Sequence, residues 1–431
     1  MKSLGELQVS LNLAAKVNRN RKFYSLRDKV SRMDVLWEAW RKVRANHGAA
    51  GTDRQTIEDI EGQRVEQFLL QLQKELLDGT YKVQCVRRVY IPKPKGKKER
   101  PLGIPTVRDR VVQQAVKLII EPIFEADFQP FSFGYRPDKS AKDASSEVYK
   151  YLNYGLTNVV EVDIKGFFDH INHSKLLSFV MERIADGYII RLIRKWLRAG
   201  VVYMDSVSYP LEGTPQGGVI SPLFANVFLN KLDTMWTALG MNRRDAHNAQ
   251  LVRYADDMVI LTDRKYASNI LGLLEQLLVG LDLELSTEKS GVVKLNGKNG
   301  FDFLGFRFTR RYDGRKGKDV TRFFPSQEAK SNYRRKLCEI ASTRYCSVKS
   351  ERQLVDEANR LILGWSSYFN HSNANGAYQR LQLFTERRLI YFMRRKHRPK
   401  FLSIDTCSKA LNGRLGLSKL FGRISYTRSL L

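Results

Sequence analysis

The stretch Tyr254-Ala255-Asp256-Asp257 constrains this chain more than any other. Apolar and β-branched residues precede it at 251–252 and follow it at 258–261, which is the pattern of a β-hairpin with a polar tip. Two adjacent carboxylates at such a tip repel each other unless a cation neutralises them. Mg²⁺ prefers carboxylate oxygens and keeps positions free for phosphate oxygens. The hairpin is therefore a candidate metal site for phosphoryl transfer, and the alternative is a pair of ordinary turn aspartates.

The charge of the chain indicates a polyanionic partner, for which nucleic acid is the default. Lys and Arg number 73 against 45 Asp and Glu, a formal net charge of +28 over 431 residues. Residues 331–431 contain 20 basic and 6 acidic residues, so half of the excess lies in under a quarter of the chain. Basic residues interleaved with aromatic ones suit phosphate contacts and base stacking. The alternatives are a solvated basic surface and aromatic side chains that only form helix core.

Cysteine usage and hydropathy predict where the protein works. The four cysteines form no CxxC pair, so neither a zinc knuckle nor a disulfide framework is indicated, and a reducing cytoplasm fits. No apolar run is long enough to cross a membrane, and the first residues lack a signal-peptide core. We expect a cytoplasmic protein without a membrane partner, as a monomer or a homodimer.

Hydrophobic periodicity predicts helices with a hairpin, then an α/β layer, then a basic helical tail, in two or three domains. Helices are expected at about 33–46, 65–77, 108–128, 223–232 and 267–281. Strands are expected at 86–91, 102–105, 159–164, 283–285 and 301–308. The helical pattern after residue 326 is expected to break at Gly364.

A third carboxylate, Asp163, ends the expected strand 159–164. Two-metal phosphoryl transfer needs carboxylates from separate elements around ions about 3.5–4 Å apart. If this strand and the hairpin lie side by side in one sheet, Asp163, Asp256 and Asp257 come together. Taken alone, Asp163 is equally compatible with a helix N-cap.

Three further features suit a nucleotide pocket, and each has an ordinary alternative. Residues 92–101 form a turn-rich basic loop that can close over a triphosphate or remain a solvated lysine loop. Phe168 can pack against a nucleotide sugar and exclude a 2′-OH, or can be a core residue. The glycines that follow Gln216 let backbone approach a ligand, and Gln216 can hydrogen-bond a nucleotide or template; the alternative is an ordinary loop.

A series of short motifs carries a family resemblance. In chain order they are 91–93 with 100–106, 132–137, 162–169, 213–222, 254–257, 288–289 and 303–306. With this order and spacing, the chain from about Trp37 to Phe369 resembles the bacterial group II intron-encoded reverse transcriptases/maturases. The segment 361–369 resembles the thumb (maturase) signature of that family.

The resemblance implies an α+β, right-hand polymerase fold with fingers, a palm containing an antiparallel sheet, and a helical thumb. The implied domains are an N-terminal extension with the fingers at 1–158, a palm with inserted fingers helices at 159–312, a thumb/maturase domain at 325–395 and a short basic C-terminal segment at 396–431. The Cys/His-rich endonuclease module of the longest family members is not expected here, so target-strand cleavage by this chain is not expected.

The resemblance also assigns roles to individual residues. It implies two Mg²⁺ ions, or Mn²⁺, bound by Asp163 and Asp256, with Asp257 completing the catalytic acids and Ile164 contributing to the metal site. The implied dNTP-binding residues are Lys93, Arg100, Phe168 as the sugar gate, Gln216 and Lys289. The implied nucleic-acid-binding residues are Arg136, Gly217, Tyr254, Trp365, Arg394, Arg395 and Lys396.

The function predicted from these features is RNA-directed DNA synthesis. A primer 3′-OH, of DNA or RNA, attacks the α-phosphate of a dNTP on an RNA template. The same chain is expected to bind its intron RNA and so assist splicing and retromobility. One alternative is a domesticated relative that serves phage defence or DNA repair. Another is a splicing factor without chemistry, against which the intact acids argue.

Overall fold

The structure, a computed structural model, describes residues 2–92, 99–204, 206–209, 212–214, 217–245, 247–263, 267–297, 299–397 and 403–421. It is a mixed helical and sheet structure, as the α+β expectation requires. The helices are α1 (Leu4–Val17), α2 (Arg27–Val30), α3 (Met33–Ala45), α4 (Ile57–Gly62), α5 (Val65–Asp78), α6 (Val107–Glu125), α7 (Ala141–Asn153), α8 (His173–Met181), α9 (Gly187–Leu197), α10 (Ser221–Ala238), α11 (Ala267–Val279), α12 (Gln327–Ile340), α13 (Glu351–Phe369), α14 (Asn375–His397) and α15 (Ile404–Asn412).

Three sheets accompany these helices. The strands are β1 (Val86–Pro92), β2 (Glu99–Ile104), β3 (Asn158–Val162), β4 (Val201–Tyr203), β5 (Ser206–Ser208), β6 (Gln250–Tyr254), β7 (Asp257–Thr262), β8 (Gly291–Lys294), β9 (Gly300–Phe303), β10 (Phe306–Asp313) and β11 (Lys318–Pro325). The strand orders are β2-β1-β4-β5, β11-β10-β9 and β6-β7-β3-β8. β1 pairs antiparallel with β2 and parallel with β4.

Most of the expected elements form close to their expected bounds, and three expectations are wrong. The strand expected at 283–285 is reduced to a single bridge between Leu285 and Ile164. The strand expected at 301–308 is a hairpin of β9 and β10, because Leu304 and Gly305 both adopt left-handed backbone (φ 49° and 78°) and reverse the chain. Gly364 does not break α13, since one glycine costs only about 1 kcal/mol in a helix that packing holds in place.

Residues within 1–140, 162–258 and 268–291 form one compact unit. Its central element is α6, whose apolar side chains are buried on nearly every side, with α1 and α3 packed against it. Thr106 caps α6 by accepting a hydrogen bond from the Asp109 amide at 3.0 Å. α10 begins at Ser221 with Pro222 in its first turn, where the missing N–H of proline costs nothing.

Residues within 141–161, 259–267 and 292–431 form the second compact unit. Aromatic side chains build much of its core: Phe308 stacks on Phe323 with ring centroids 5.4 Å apart, and Phe306 meets Phe369 edge to face at 4.9 Å. α12, α13 and α14 pack on one another. Within the described ranges of both units, the helices lack any stretch long and apolar enough to cross a membrane.

Candidate active site

The polar hairpin expected at 254–257 forms as β6 and β7, with Ala255 and Asp256 at its tip. Ala255 has left-handed backbone (φ 56°), which is uncommon for a residue with a side chain. The segment 131–134 lies against β6: the Phe133 amide donates to the Arg253 carbonyl at 2.8 Å. A Cβ on Gly134 would stand 2.4 Å from the Ala255 nitrogen, so only glycine allows this approach. Backbone contacts therefore fix where the tip lies.

Asp163 follows β3 directly and is held by a second backbone segment. Its amide donates to Ser290 Oγ at 3.0 Å, and its carbonyl accepts from the Ser286 amide at 2.8 Å. Ile164, the next residue, is buried and bridges to Leu285. The Asp163 carboxylate accepts a hydrogen bond from Lys289 Nζ at 2.9 Å. The chain therefore supplies a cation to this carboxylate from within the site.

The three predicted acids lie within electrostatic reach of one another. Burial, followed by the charges of Asp256 and Asp163, raises the pKa of Asp257 to about 6, although part of the side chain is exposed. Burial also raises the pKa of Asp256, and Asp163 contributes. Arg100, which is exposed on β2, lowers the pKa of both aspartates, and Lys289 lowers that of Asp257. The two side-chain cations do not balance the acids, so an additional cation would stabilise their ionised form.

The donor set fits a hard divalent cation in its chemistry, since carboxylate oxygens are the ligands that Mg²⁺ and Mn²⁺ accept. Across the described residues, however, no three His, Cys, Asp or Glu side chains stand together as a preformed ligand set. At Asp163, the ammonium of Lys289 contacts a carboxylate oxygen at 2.9 Å. The pair is largely exposed, with the Lys289 side chain 68% accessible, so the ammonium can exchange for another cation.

Phe168 lies five residues after Asp163, in a 3₁₀ turn at Phe167–Asp169. Its ring is half-buried and meets Phe167 edge to face at 5.3 Å. The Phe168 carbonyl accepts from the Thr214 amide at 2.8 Å. Gly213 has φ 87°, and a Cβ there would stand 2.8 Å from the Asp169 carbonyl. The glycine loop thus packs directly on the turn that carries the expected sugar gate.

The remaining nucleotide candidates lie in or beside this loop and β2. Gly217 is exposed, has φ 121° and approaches the Gly103 carbonyl of β2 so closely that a Cβ would stand 2.5 Å from it. Arg100 pairs with Ile91 across the β1–β2 hairpin. Lys93 and Gln216 lie outside the described residues.

Arg136, one of the expected nucleic-acid-binding residues, donates hydrogen bonds to groups inside the protein. Its side chain is 6% exposed and forms an ion pair with Glu125, with Nε 3.0 Å from Oε1. Its Nη1 donates to the Gln129 and Ser132 carbonyls, each at 2.6 Å. The guanidinium of Arg136 thus donates to partners inside the protein, and its assignment as a nucleic-acid-binding residue stays a prediction. Tyr254 remains half-buried, with its ring 6.3 Å from that of Tyr135.

Of the four candidate nucleic-acid-binding residues in the second unit, three have partly buried side chains and one, Arg395, is exposed. Trp365 packs against Phe369 at 4.5 Å and Tyr378 at 5.6 Å, so most of its ring serves the core. Lys396 donates to the Cys346 and Lys349 carbonyls at 2.8 and 3.1 Å. Arg394 is half-buried, whereas Arg395 is exposed to solvent.

Sequence reasoning missed a buried polar network beneath the hairpin tip. Arg253 on β6 pairs with Asp233 on α10, and both side chains are fully buried. Asn226, also on α10, accepts a hydrogen bond from Arg253. A signal was present: an arginine inside an apolar strand needs a buried acid. Asp233 and Asn226, seven residues apart in an apolar helix, share one helix face.

Two family profiles match the chain. The profile described as "Reverse transcriptase (RNA-dependent DNA polymerase)" matches residues 91–308, half of the chain. The profile described as "Group II intron, maturase-specific domain" matches residues 331–406.

Individual proteins resemble parts of the chain. The group II intron-encoded protein LtrA of Lactococcus lactis is 39% identical over 212 residues, which cover 49% of this chain and 35% of LtrA. Protein YkfC of Escherichia coli K12 is 35% identical over 295 residues, covering 60% of this chain and 76% of YkfC. The Arabidopsis thaliana protein "Nuclear intron maturase 4, mitochondrial" is 25% identical over 227 residues, covering 52% and 27%. The matched part thus spans about a third of the length of LtrA.

Proposed function

The chain belongs to the reverse transcriptase family and carries the maturase-specific domain of group II intron proteins, and from that premise we propose that it is an RNA-directed DNA polymerase. The observation that supports the proposal is the sheet order, in which β7, beginning at Asp257, neighbours β3, which Asp163 directly follows. Burial first, and the charges of the neighbouring acids second, raise the pKa of Asp257, and burial also raises the pKa of Asp256. Acids on separate elements beside Arg100 suit the transfer of a nucleotidyl group. The substrates are an RNA template, a DNA or RNA primer and dNTPs.

Two Mg²⁺ ions, or Mn²⁺, are proposed to bind Asp163 and Asp256, with Asp257 and the backbone of Ile164 beside them. Bound there, the ions would supply activation of the primer 3′-OH and stabilisation of the leaving pyrophosphate. The chain's own contribution is placement: the 131–134 segment and the Ser290 hydroxyl hold the acids in position before substrate arrives. Lys289 would release Asp163 and remain near the nucleotide phosphates.

The incoming dNTP is proposed to lie between β2 and the Phe168 turn. Arg100 and Lys93 would contact the triphosphate, since charge-assisted hydrogen bonds to phosphate are among the strongest available to a side chain. The Phe168 ring would occupy the space that a ribose 2′-OH needs. Gln216 would contact the nucleotide base side, and the exposed Gly217 backbone would approach the template.

The nucleic acid partners are proposed to follow the right-hand plan, with fingers within 1–158, palm within 159–312, thumb within 325–395 and a basic segment at 396–431. The thumb would hold the RNA–DNA duplex through its backbone, and Arg395 is its most accessible candidate among those named above. Tyr254 would pack near the primer end. The same basic surfaces would bind the intron RNA and assist its splicing.

Replacing Asp256 tests the proposal most directly. Asp256→Ala should reduce primer extension on an RNA template by roughly a thousandfold or more, because it removes a charge on which transition-state stabilisation depends. RNA affinity should stay nearly unchanged. The measurement is cDNA synthesis by purified protein with Mg²⁺, primed RNA and dNTPs. Asp245→Ala, an exposed acid paired with Arg243, is the control and should copy normally. Persistent cDNA synthesis by Asp256→Ala would refute the assignment.

Replacing Phe168 tests the nucleotide pocket. Phe168→Val should raise incorporation of ribonucleotides relative to dNTPs by about ten- to a hundredfold, the range that a hydrophobic pocket can discriminate. Competition between the two nucleotide types in single-turnover extension measures the ratio. Phe167→Leu, at the buried neighbouring ring, is the control. An unchanged ratio in Phe168→Val would remove Phe168 from the gate role.

A further inference from the structure

The hairpin that carries Asp256 and Asp257 stands on a buried ion pair. Arg253 lies in β6, two residues before Ala255 at the tip, and its side chain is 0% exposed. The side chain of Asp233, on α10, is also 0% exposed. The guanidinium meets the carboxylate through two edges, with Nε 2.9 Å from Oδ1 and Nη2 2.5 Å from Oδ2. Burying an ion pair costs desolvation free energy, which is offset only when the remaining donors also find hydrogen-bond partners.

The remaining nitrogen of Arg253 reaches the tip itself. Nη1 donates to the Ala255 carbonyl at 3.0 Å and to Asn226 Oδ1 at 3.1 Å. Ala255 is the residue with left-handed backbone, a conformation that persists only where its surroundings hold it. Asn226 in turn donates from Nδ2 to the Gly134 carbonyl at 2.8 Å. One guanidinium thus connects α10, the hairpin tip and the segment that abuts the tip.

We propose that Arg253, held by Asp233, is a positioning residue that sets the location of the hairpin tip and thereby of Asp256. The proposal rests on the proposed polymerase function for its kinetic consequences, and on the hydrogen-bond geometry alone for its structural ones. Placement at this level matters because a displacement of about 1 Å in a catalytic group costs on the order of a hundredfold in rate.

The same unit contains a matched ion pair that does not touch the hairpin. Arg183, 4% exposed in its side chain, pairs through Nε at 2.9 Å with Asp127, whose side chain is 23% exposed. Like Arg253 it also donates to backbone carbonyls, that of Ala15 at 2.8 Å among them. The two arginines share their chemistry and their burial and differ in what they hold. Comparing variants of the two pairs therefore distinguishes an effect on the site from a general effect on folding.

The experiment compares the double variants Arg253→Met/Asp233→Leu and Arg183→Met/Asp127→Leu with the wild type. Replacing both partners by apolar residues avoids an uncompensated buried charge, so both proteins should remain folded. Thermal midpoints, template–primer affinity, kcat and the dNTP KM are measured on each. A third variant, Arg253→Lys, keeps the charge but loses the planar fork that reaches three partners at once.

The expected result is a loss of kcat in the variants of the Arg253–Asp233 pair and not in those of the Arg183–Asp127 pair. Arg253→Met/Asp233→Leu should lose roughly a hundredfold in kcat with its template–primer affinity unchanged, and Arg253→Lys should also fall below the wild type. Arg183→Met/Asp127→Leu should retain its kcat per folded molecule. Equal losses in the two double variants, or a kcat within twofold of the wild type for Arg253→Met/Asp233→Leu, would overturn the proposal.

Amide hydrogen exchange supplies a readout that needs no activity. The amides of residue 253 and Phe133 hydrogen-bond across the contact between β6 and the 131–134 segment, at 2.9 and 2.8 Å. They should exchange at least about tenfold faster in the Arg253 double variant and at the wild-type rate in the Arg183 double variant. If the wild type copied no RNA, the polymerase proposal would fail while this exchange would still test the positioning role. Unchanged exchange in the Arg253 double variant would overturn it.

Discussion

Two aspartates in the first unit each form an ion pair with a basic side chain, and the two pairs differ in how far they are exposed to solvent. Asp163 meets Lys289 at 2.9 Å in a pair whose side chains are 33% and 68% exposed. Asp233 meets Arg253 in a pair whose side chains are both 0% exposed. The first cation is a single flexible ammonium, and the second is a rigid fork with several fixed partners.

The difference separates a carboxylate that can exchange its partner from one whose partner is fixed. An exposed ion pair contributes at most about 1 kcal/mol, so Asp163 can exchange its ammonium for another cation at little cost. A buried pair costs about 3–5 kcal/mol to break, because the remaining charge is left without a partner. We infer that the proposed site combines an exchangeable carboxylate at its surface with a fixed one beneath it.

The largest expected effect comes from breaking the buried pair on one side only. Asp233→Asn should lower the free energy of unfolding by about 3–5 kcal/mol, since Arg253 would stay buried without its countercharge. Urea denaturation of the purified protein measures the change. Asn230→Ala, an alteration on the same helix outside the pair, serves as the control. A loss below about 1 kcal/mol for Asp233→Asn would remove the contrast between the two pairs.

A buried histidine in the second unit adds to the comparison a group whose lowered pKa favours its uncharged form. His371 is 1% exposed, and its Nε2 lies 2.9 Å from Ser145 Oγ. Burial, with a smaller contribution from Lys142 that Asp143 opposes, lowers the pKa of His371 from 6.5 to about 4. The unfolded chain therefore binds a proton between these values that the folded chain does not, so stability falls as pH falls through this window.

The size of this pH effect is expected to reach about 3 kcal/mol at pH 4. Urea denaturation at pH 7, 5.5 and 4 should show a wild-type protein that loses stability relative to His371→Gln, which cannot take up the proton. Above pH 7 the difference between the two proteins should be constant. Parallel curves for the two proteins across the whole range would contradict the buried neutral histidine.

The smallest expected effect on stability comes from the exposed pair. Lys289→Met should change the free energy of unfolding by less than about 1 kcal/mol, because solvent replaces the lost partner of Asp163. The dNTP KM should nevertheless rise several-fold, since the proposed site loses a cation near the phosphates. Primer extension at varied dNTP concentration measures it. A destabilisation above 2 kcal/mol would make this pair a structural one and erase the contrast.

Sequence reasoning identified the hairpin and much of the secondary structure because both depend on local pattern. Apolar runs around Asp256 and Asp257 define two strands, and amphipathic spacing defines α3, α5 and α6. It failed where a reversal depended on backbone conformation, as at Leu304 and Gly305. Nothing in the alternation of 301–308 reveals that two consecutive residues adopt positive φ.

The candidate site shows the same division between local pattern and tertiary contact. The three acids were predicted, but the ion pair between Asp163 and Lys289 was not. The family resemblance implied nucleic-acid binding by Arg136, whereas its ion-pair partner Glu125 lies eleven residues away and becomes visible only after folding. The Arg253 network likewise joins residues of α10 and β6 whose pairing depends on how the helix and strand pack.

The contact at Gly134 limits how this site can be altered. The 131–134 segment touches the hairpin tip backbone to backbone, and there is no room between them even for one methyl group. Lengthening the turn at Ala255 would push the tip into that segment, so insertions should be excluded there. Redesign of metal or nucleotide preference would have to exchange side chains on a turn of constant length. The hairpin is thus a place where chemistry can vary and loop geometry cannot.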